Sequence, residues 1–328
     1  VVTYSKFRDR FELAPHSDFF QRDVAGRRLP YVAAVKGFFF ADAAAALAAF
    51  RTGQIDAYSA KDLDEFEQVL ATNPDVGVVV QHLSTQTLSG YTIQHHNPIL
   101  ADLRVRRALS MAIDRDGIIQ NLFRGAGAKE NPLAFDFFGE TEPLDGPALG
   151  PYMAYNPQEA RQLLQAAGYG AGLELELVTA GAPTDLDLLV RDYWAQVGVR
   201  LVFREVESTV KATIEKDKSF KDLLQGIRLS GADAAVAVPA AFGPGSPENR
   251  GNINDPVINE LIPRVLYSLD PDERNRVVRQ IVDRALDQVL NIYLVGAHNF
   301  HIWQPWLHNY FFRNRASPTG RGRWTHQL

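Results

Sequence analysis

From Pro157 onward the sequence switches repeatedly between a helical and a strand-like hydrophobic period, and this alternation confines the chain to an α/β architecture. Pro157 opens a helical segment that stops at Gly168. Leu173 to Thr179 alternates apolar and polar residues with a period of two. Thr184 to Val197 returns to helical spacing, and Val199 to Val206 reads as a strand. A helix-period segment does not sit as a strand, nor a strand-period segment as a helix. The expected product is a sheet flanked by helices.

The rest of the chain extends this pattern. Residues 1–13 alternate weakly, and Val32 to Phe40 reads as a buried apolar strand. Asp42 is placed to cap an alanine-rich helix that Gly53 terminates, and Asp62 opens a second helix closed by Asn73-Pro74. Val76 to Val80 is β-branched and reads as a strand. Gly90 to His95 reads as another. One long helix is expected from Asp102 to about Phe123, broken by Gly125-Ala126-Gly127. Ser208 to Lys216 predicts a short helix and Leu223 to Leu229 a strand. Residues 238–256, rich in Pro and Gly, read as a loop. Helices over Pro256–Tyr267 and Pro271–Leu290 follow, then a strand from Asn291 to Trp303 and an aperiodic tail.

At 328 residues the chain suits two lobes of roughly 100–200 residues each. Its 39 acidic and 34 basic side chains give a net charge of −5, so the chain-wide basic footprint of a nucleic-acid binder is missing. With no cysteine, disulfides, thiolate metal sites and cysteine nucleophiles are excluded. No run of about 18 apolar residues exists to form a membrane-spanning helix. Val1-Val2-Thr3-Tyr4 lacks the charged and apolar regions of a signal segment.

Several stretches carry a resemblance. Asp102-Leu103-Arg104-Val105-Arg106-Arg107-Ala108-Leu109-Ser110-Met111-Ala112-Ile113-Asp114-Arg115, approached through Asn97-Pro98, resembles the signature helix of family 5 solute-binding proteins, the oligopeptide, dipeptide and nickel class. Tyr155 to Tyr169 resembles a second segment of that family, Gly53-Gln54-Ile55-Asp56 a third, and Asp270 to Arg274 with the strand from Ile292 its C-terminal pattern. The signature also makes physical sense alone. Val105, Leu109, Ala112 and Ile113 share one face at helical spacing, whereas Arg104, Arg106, Arg107 and Asp114 fall off it.

The resemblance implies a periplasmic-binding-protein-like fold of the large peptide-binding type, with mixed sheets in two lobes. Residues 1–88 and 300–328 would form lobe one and residues 89–299 lobe two. A small hydrophilic solute, foremost a short peptide, would be captured in an interlobe cleft that closes around it. The partner would be the membrane permease of an ABC importer, the protein a monomer without cofactor, and the location periplasmic or a cell-surface lipoprotein. Family members usually carry a further N-terminal stretch, so the chain reads as a fragment. The same fold also serves as the sensing domain of regulators, which is the alternative. A hydrolase would need a nucleophile, base and acid in recognisable context, and none is found.

The ligand-binding candidates are Asp233, Arg228, His298 and Trp303. Asp233 lies where peptide-binding relatives hold the aspartate that pairs with the peptide amino group, although the aromatic neighbours are replaced here. It serves equally well as a turn or helix cap. Arg228 suits a ligand carboxylate or a surface strand position. His298 falls near a predicted crossover together with His301, but positions three apart on a strand point to opposite faces, so no metal is assigned. Trp303, with Trp306, Tyr310, Phe300, Phe311 and Phe312, forms either packing or an aromatic wall for ligand side chains. Glu174 and Glu176 share a strand face and are given no catalytic role.

Overall fold

The computed structural model describes residues 3–6, 10–16, 18–81, 87–229, 231 and 233–308. These fall into two compact units, one running to Gln81 and resuming at Asn299, the other between them up to His298.

The first unit holds two small sheets. In one, β1 (Thr3–Lys6), β2 (Arg10–Ala14) and β3 (Val35–Phe38) pair antiparallel in that order. The expected buried strand over 32–40 is therefore short, and it is not buried: Val35 and Phe38 are exposed. β3 is an edge strand whose closest cover is Phe11, a ring packed so tightly on Gly37 that a Cβ there would lie 2.1 Å from it. In the other sheet β13 (Asn299–Trp303) lies between β4 (Ala57–Ala60) and β5 (Gly77–Gln81), all antiparallel. Helix α1 (Ala43–Arg51) is capped by Asp42 and α2 (Leu63–Thr72) by Asp62, each carboxylate accepting a first-turn N–H.

The second unit is built on a five-stranded sheet in the order β11-β6-β10-β8-β9. β8 (Leu173–Ala180), β9 (Val199–Val206) and β10 (Leu223–Arg228) are parallel. β6 (Thr87–Ile93) runs against β10 and against β11 (Asn291–Tyr293). A ribbon of β7 (Gly127–Lys129) and β12 (Val295–Ala297) stands beside it. The helices are α3 (Pro98–Ala101), α4 (Leu103–Met111), α5 (Arg115–Phe123), α6 (Pro157–Ala166), α7 (Asp185–Gln196), α8 (Ser208–Asp217), α9 (Ala234–Phe242), α10 (Pro256–Tyr267) and α11 (Pro271–Asp287).

One core cluster gathers Ile93, Leu109, Ile113, Leu175, Leu177 and Trp194, and a second gathers Phe138, Val238, Phe242, Ile258 and Ile281. Glu174 and Glu176 meet Arg200 and Arg204 on β9 at 3.0 and 3.8 Å, so these carboxylates serve strand pairing.

Four further expectations need correction. The single helix over 102–123 is two, because Asp114 accepts the Gly117 N–H at 2.8 Å and starts α5 while Arg115 turns inward. Fully buried, Arg115 donates to the carbonyls of Ser110, Met153 and Tyr293. Arg106, expected off the apolar face, is also buried, and it donates to the carbonyls of Leu100, Ala101, Gln288 and Val289. These two arginines add donors to carbonyls near the ends of α3 and α4. The predicted loop at 238–256 begins inside α9. Pro239 removes one backbone bond there, but Ala237, Val238 and Phe242 are buried, and their burial outweighs it. The expected strand from 291 to 303 is three strands, each in a different sheet.

Candidate functional site

Parallel strands direct their carboxyl ends, and the amino ends of the helices that follow, to one edge of a sheet. Ligands of open α/β sheets settle at that edge. In the second unit the edge is formed by Ala180 of β8, Val206 of β9 and Arg228 of β10, with Thr87, the first residue of β6, in register with Arg228. Three helices start from it: α7, α8 and α9.

Each start is built differently. Thr184 caps α7 through a capping box with Asp187. Asp187 is buried and also accepts from Tyr91 Oη at 2.9 Å and Gln225 Nε2 at 2.6 Å, which ties α7 to β6 and β10. Ahead of α8, Glu207 makes no side-chain cap. Asp233 caps α9: its Oδ1 accepts from the N–H groups of Ala235 and Val236 at 2.9 and 3.3 Å. The carboxylate is exposed, and its Oδ2 makes no hydrogen bond to a described residue.

Arg228 closes β10 five residues earlier, half exposed, with its Nε 3.8 Å from Glu215 and 3.9 Å from Glu248. Both carboxylates are shared with Arg250, at 3.6 and 3.1 Å. The Arg250 side chain is 11% exposed, and its Nε is sealed without a partner among the described residues. Burial pushes the nearby Lys211 ammonium below its ordinary pKa; Glu215 opposes this, while Arg228 and Arg250 reinforce it. The cluster is a damped positive patch that can exchange one of its internal carboxylates for one from a ligand.

The structure thus brings Asp233 and Arg228 to opposite ends of one short β10–α9 connection. His298 lies elsewhere in the same unit, just after β12, with its N–H donating to the Ala126 carbonyl at 2.9 Å. Trp303 belongs to the first unit, on β13, where its indole covers Gly77; a Cβ there would sit 2.2 Å from the ring. His301 is buried on the same strand, with its Nδ1 2.7 Å from Ser59 Oγ and its Nε2 3.2 Å from Gln81 Oε1. Tyr310, Phe311 and Phe312 lie outside the described residues.

One group at this end was not expected. Glu130, next to β7, is 1% exposed. Its Oε1 accepts the Ser89 N–H of β6 at 3.0 Å, its own N–H donates to the Leu294 carbonyl between β11 and β12, and Oε2 has no partner among the described residues. Burial pushes its carboxyl up to about 8, against the one lowering contact from Ser89. It therefore ties two stretches of chain together in its neutral form.

Bacterial extracellular solute-binding proteins, family 5, match in their middle part over residues 1–246. The chain belongs to this family. Its members are solute-binding proteins, not enzymes. A Brucella ovis protein named for peptide binding in an ABC transporter is 32% identical to this family 5 chain over 192 residues, 57% of the chain and 34% of the relative. HbpA2 from Haemophilus parasuis superposes with a TM-score of 0.72 at 18% identity, over 92% of the chain and 58% of HbpA2. The periplasmic binding protein DppA from Helicobacter pylori, in complex with the peptide STSA, gives a TM-score of 0.70 at 18% identity, over 94% of the chain and 59% of DppA. These likenesses establish the fold of the family 5 chain, which spans about a third of the Brucella relative and under two thirds of the solved structures.

Proposed function

We propose that the chain supplies the ligand-binding part of an extracytoplasmic substrate-binding protein of an ABC importer, in the periplasm or held at the cell surface as a lipoprotein. It captures a small hydrophilic solute, foremost a short peptide, as a monomer and without a cofactor, and presents it to the membrane permease. The family match over residues 1–246 carries this reading. The name of the Brucella relative and the peptide held by DppA favour a peptide as the solute. The family match gives no support to a regulator's sensing domain.

The ligand's ammonium end pairs with the open oxygen of Asp233, and its carboxylate is received by Arg228. His298 and Trp303 remain further contacts in this proposal. The test is thermal melting of the chain with tetrapeptides bearing free or acetylated amino ends, and with a sugar as control. Selective binding raises the melting temperature, by the equivalent of about 2.7 kcal/mol at a hundredfold excess over the dissociation constant. Free-amine peptides should produce the rise, acetylated ones should not, and Asp233→Ala should remove it. Equal shifts from both peptide types would overturn the assignment of Asp233, and a response to the sugar alone would overturn the peptide.

A further inference from the structure

At the opposite edge of the same sheet lies a pocket of about 430 Å³, lined by His95, Arg106, Asn252, Asp255, Arg284 and Gln288 among others. β6 separates it from the Arg228 edge. Thr87 stands level with Arg228, Ile93 level with Leu223, and His95 follows Ile93. Seven extended residues make that separation about 20 Å, so this pocket is not part of the peptide site proposed above.

Its charged walls are two arginines against one aspartate. Arg106 is 6% exposed. Its Nε serves the Gln288 and Val289 carbonyls at 3.0 and 3.2 Å, and its Nη1 serves the Leu100 and Ala101 carbonyls, both at 2.8 Å. Four fixed carbonyls hold the guanidinium plane rigid, and Nη2 is left with no hydrogen-bond partner among the described residues. Arg106 lines the pocket, so this nitrogen is the part of its plane left for a ligand. Arg284 directs Nε and Nη2 to Asp255 Oδ2, at 3.0 and 2.9 Å, and leaves Nη1 open among the described residues.

Asp255 is itself committed, because its Oδ1 caps α10 by accepting the Ile258 N–H at 3.1 Å. His95 adds no charge. Its Nε2 lies 2.8 Å from the Leu290 carbonyl and must carry the hydrogen, and burial pushes its pKa down to about 4. A net positive, partly desolvated pocket with two fixed, unspent N–H donors is suited to an anion.

We propose that this pocket binds a small oxyanion, clamped between the open guanidinium nitrogens of Arg106 and Arg284. Carboxylates and inorganic phosphate share that chemistry, and the volume is in the range of small-ligand sites.

The experiment titrates the chain with acetate, malonate and inorganic phosphate at constant ionic strength, with chloride as control. Calorimetry and the imidazole resonances of His95 are followed together. Saturable binding by at least one oxyanion, with His95 shifting in step, is expected. The arm that binds tightest identifies a carboxylate or a phosphate ligand.

Arg284→Gln removes one donor and should weaken binding roughly tenfold or more. Ala101→Trp keeps every charge and fills the pocket from its rim, and should abolish binding. Peptide binding should survive both substitutions, which separates this site from the peptide reading. The proposal fails if no oxyanion saturates, if His95 stays unmoved, or if either folded variant binds like the parent.

Discussion

At the scale of single residues, the second unit is organised by polar groups placed where water cannot reach them. Glu130 has the clearest consequence. Its carboxyl is pushed up to about 8 in the folded chain against an ordinary value of 4.5. Below pH 4.5 both folded and unfolded chains hold the proton, and the stability from this group is complete. Between pH 4.5 and 8 only the folded chain holds it, so stability falls as pH rises through that window. Glu130→Gln keeps an oxygen to accept the Ser89 N–H and removes the ionisation. The variant should match the parent near pH 4.5 and exceed it by a few kcal/mol at pH 8 in urea unfolding. Parallel pH profiles for the two proteins would show that Glu130 is ionised and solvated. Asp233 acts in the other direction: as the α9 cap, its change to Ala should cost about 1 kcal/mol even without ligand, measured by the same unfolding. Asp233 entered as a candidate through its resemblance to the aspartate that peptide-binding relatives hold just after a strand, and Arg228 as a side chain suited to a carboxylate. Glu130 was not legible, since nothing local marks it. Its burial is created by Ser89, 41 positions away, and by the chain near Leu294.

At the scale of elements, sequence reading succeeded where a single local rule decides and failed where distant chain decides. Asp42, Asp62, Thr184 and Asp270 all cap the helices expected after them, because a short acceptor before an apolar helical period is a local signal. The break between α4 and α5 was hidden. The apolar period continues through Ala112 and Ile113, and Asp114 restarts the helix while Arg115 turns inward to the Tyr293 carbonyl 178 positions away. Likewise the run from Asn291 to Trp303 reads as one strand, although three different sheets divide it. The central sheet depends on another long-range fit. At Gly90 a Cβ would lie 2.3 Å from the Ile292 carbonyl oxygen and 2.7 Å from Ile227, so β6 can approach β11 only without a side chain there. Gly90→Ala should therefore separate β11 from β6 and cost roughly 3 kcal/mol or more, among the larger effects of a point change. Gly146→Ala is the control, because nothing lies within 4 Å of a Cβ at that position. A control that destabilises as much as Gly90→Ala would assign the effect to backbone conformation in place of the close approach.

At the scale of the whole molecule, the apolar core is divided unevenly. The two large clusters lie wholly in the second unit. The first unit has its own buried group around Phe50, Phe66, Val69, Phe300 and Ile302, with Phe66 stacked on Phe300 at 4.7 Å between ring centroids. Its β1–β3 sheet, by contrast, leaves Val35, Phe38 and Phe39 exposed. Alternation and helical period made the α/β class legible because burial in the second unit repeats along consecutive elements. They overstated the burial of β3, because an apolar run does not reveal whether anything covers it. Local stability follows buried apolar contact, so the elements should open in a set order. In native-state hydrogen exchange, amides of β6, β8 and β10 should be the slowest and approach the global unfolding free energy. Those of β4, β5 and β13 should be intermediate, and those of β2 and β3 should exchange fastest. Equal protection of β3 and β8 would mean that the small sheet unfolds only with the whole chain, and that its exposed aromatic residues do not weaken it.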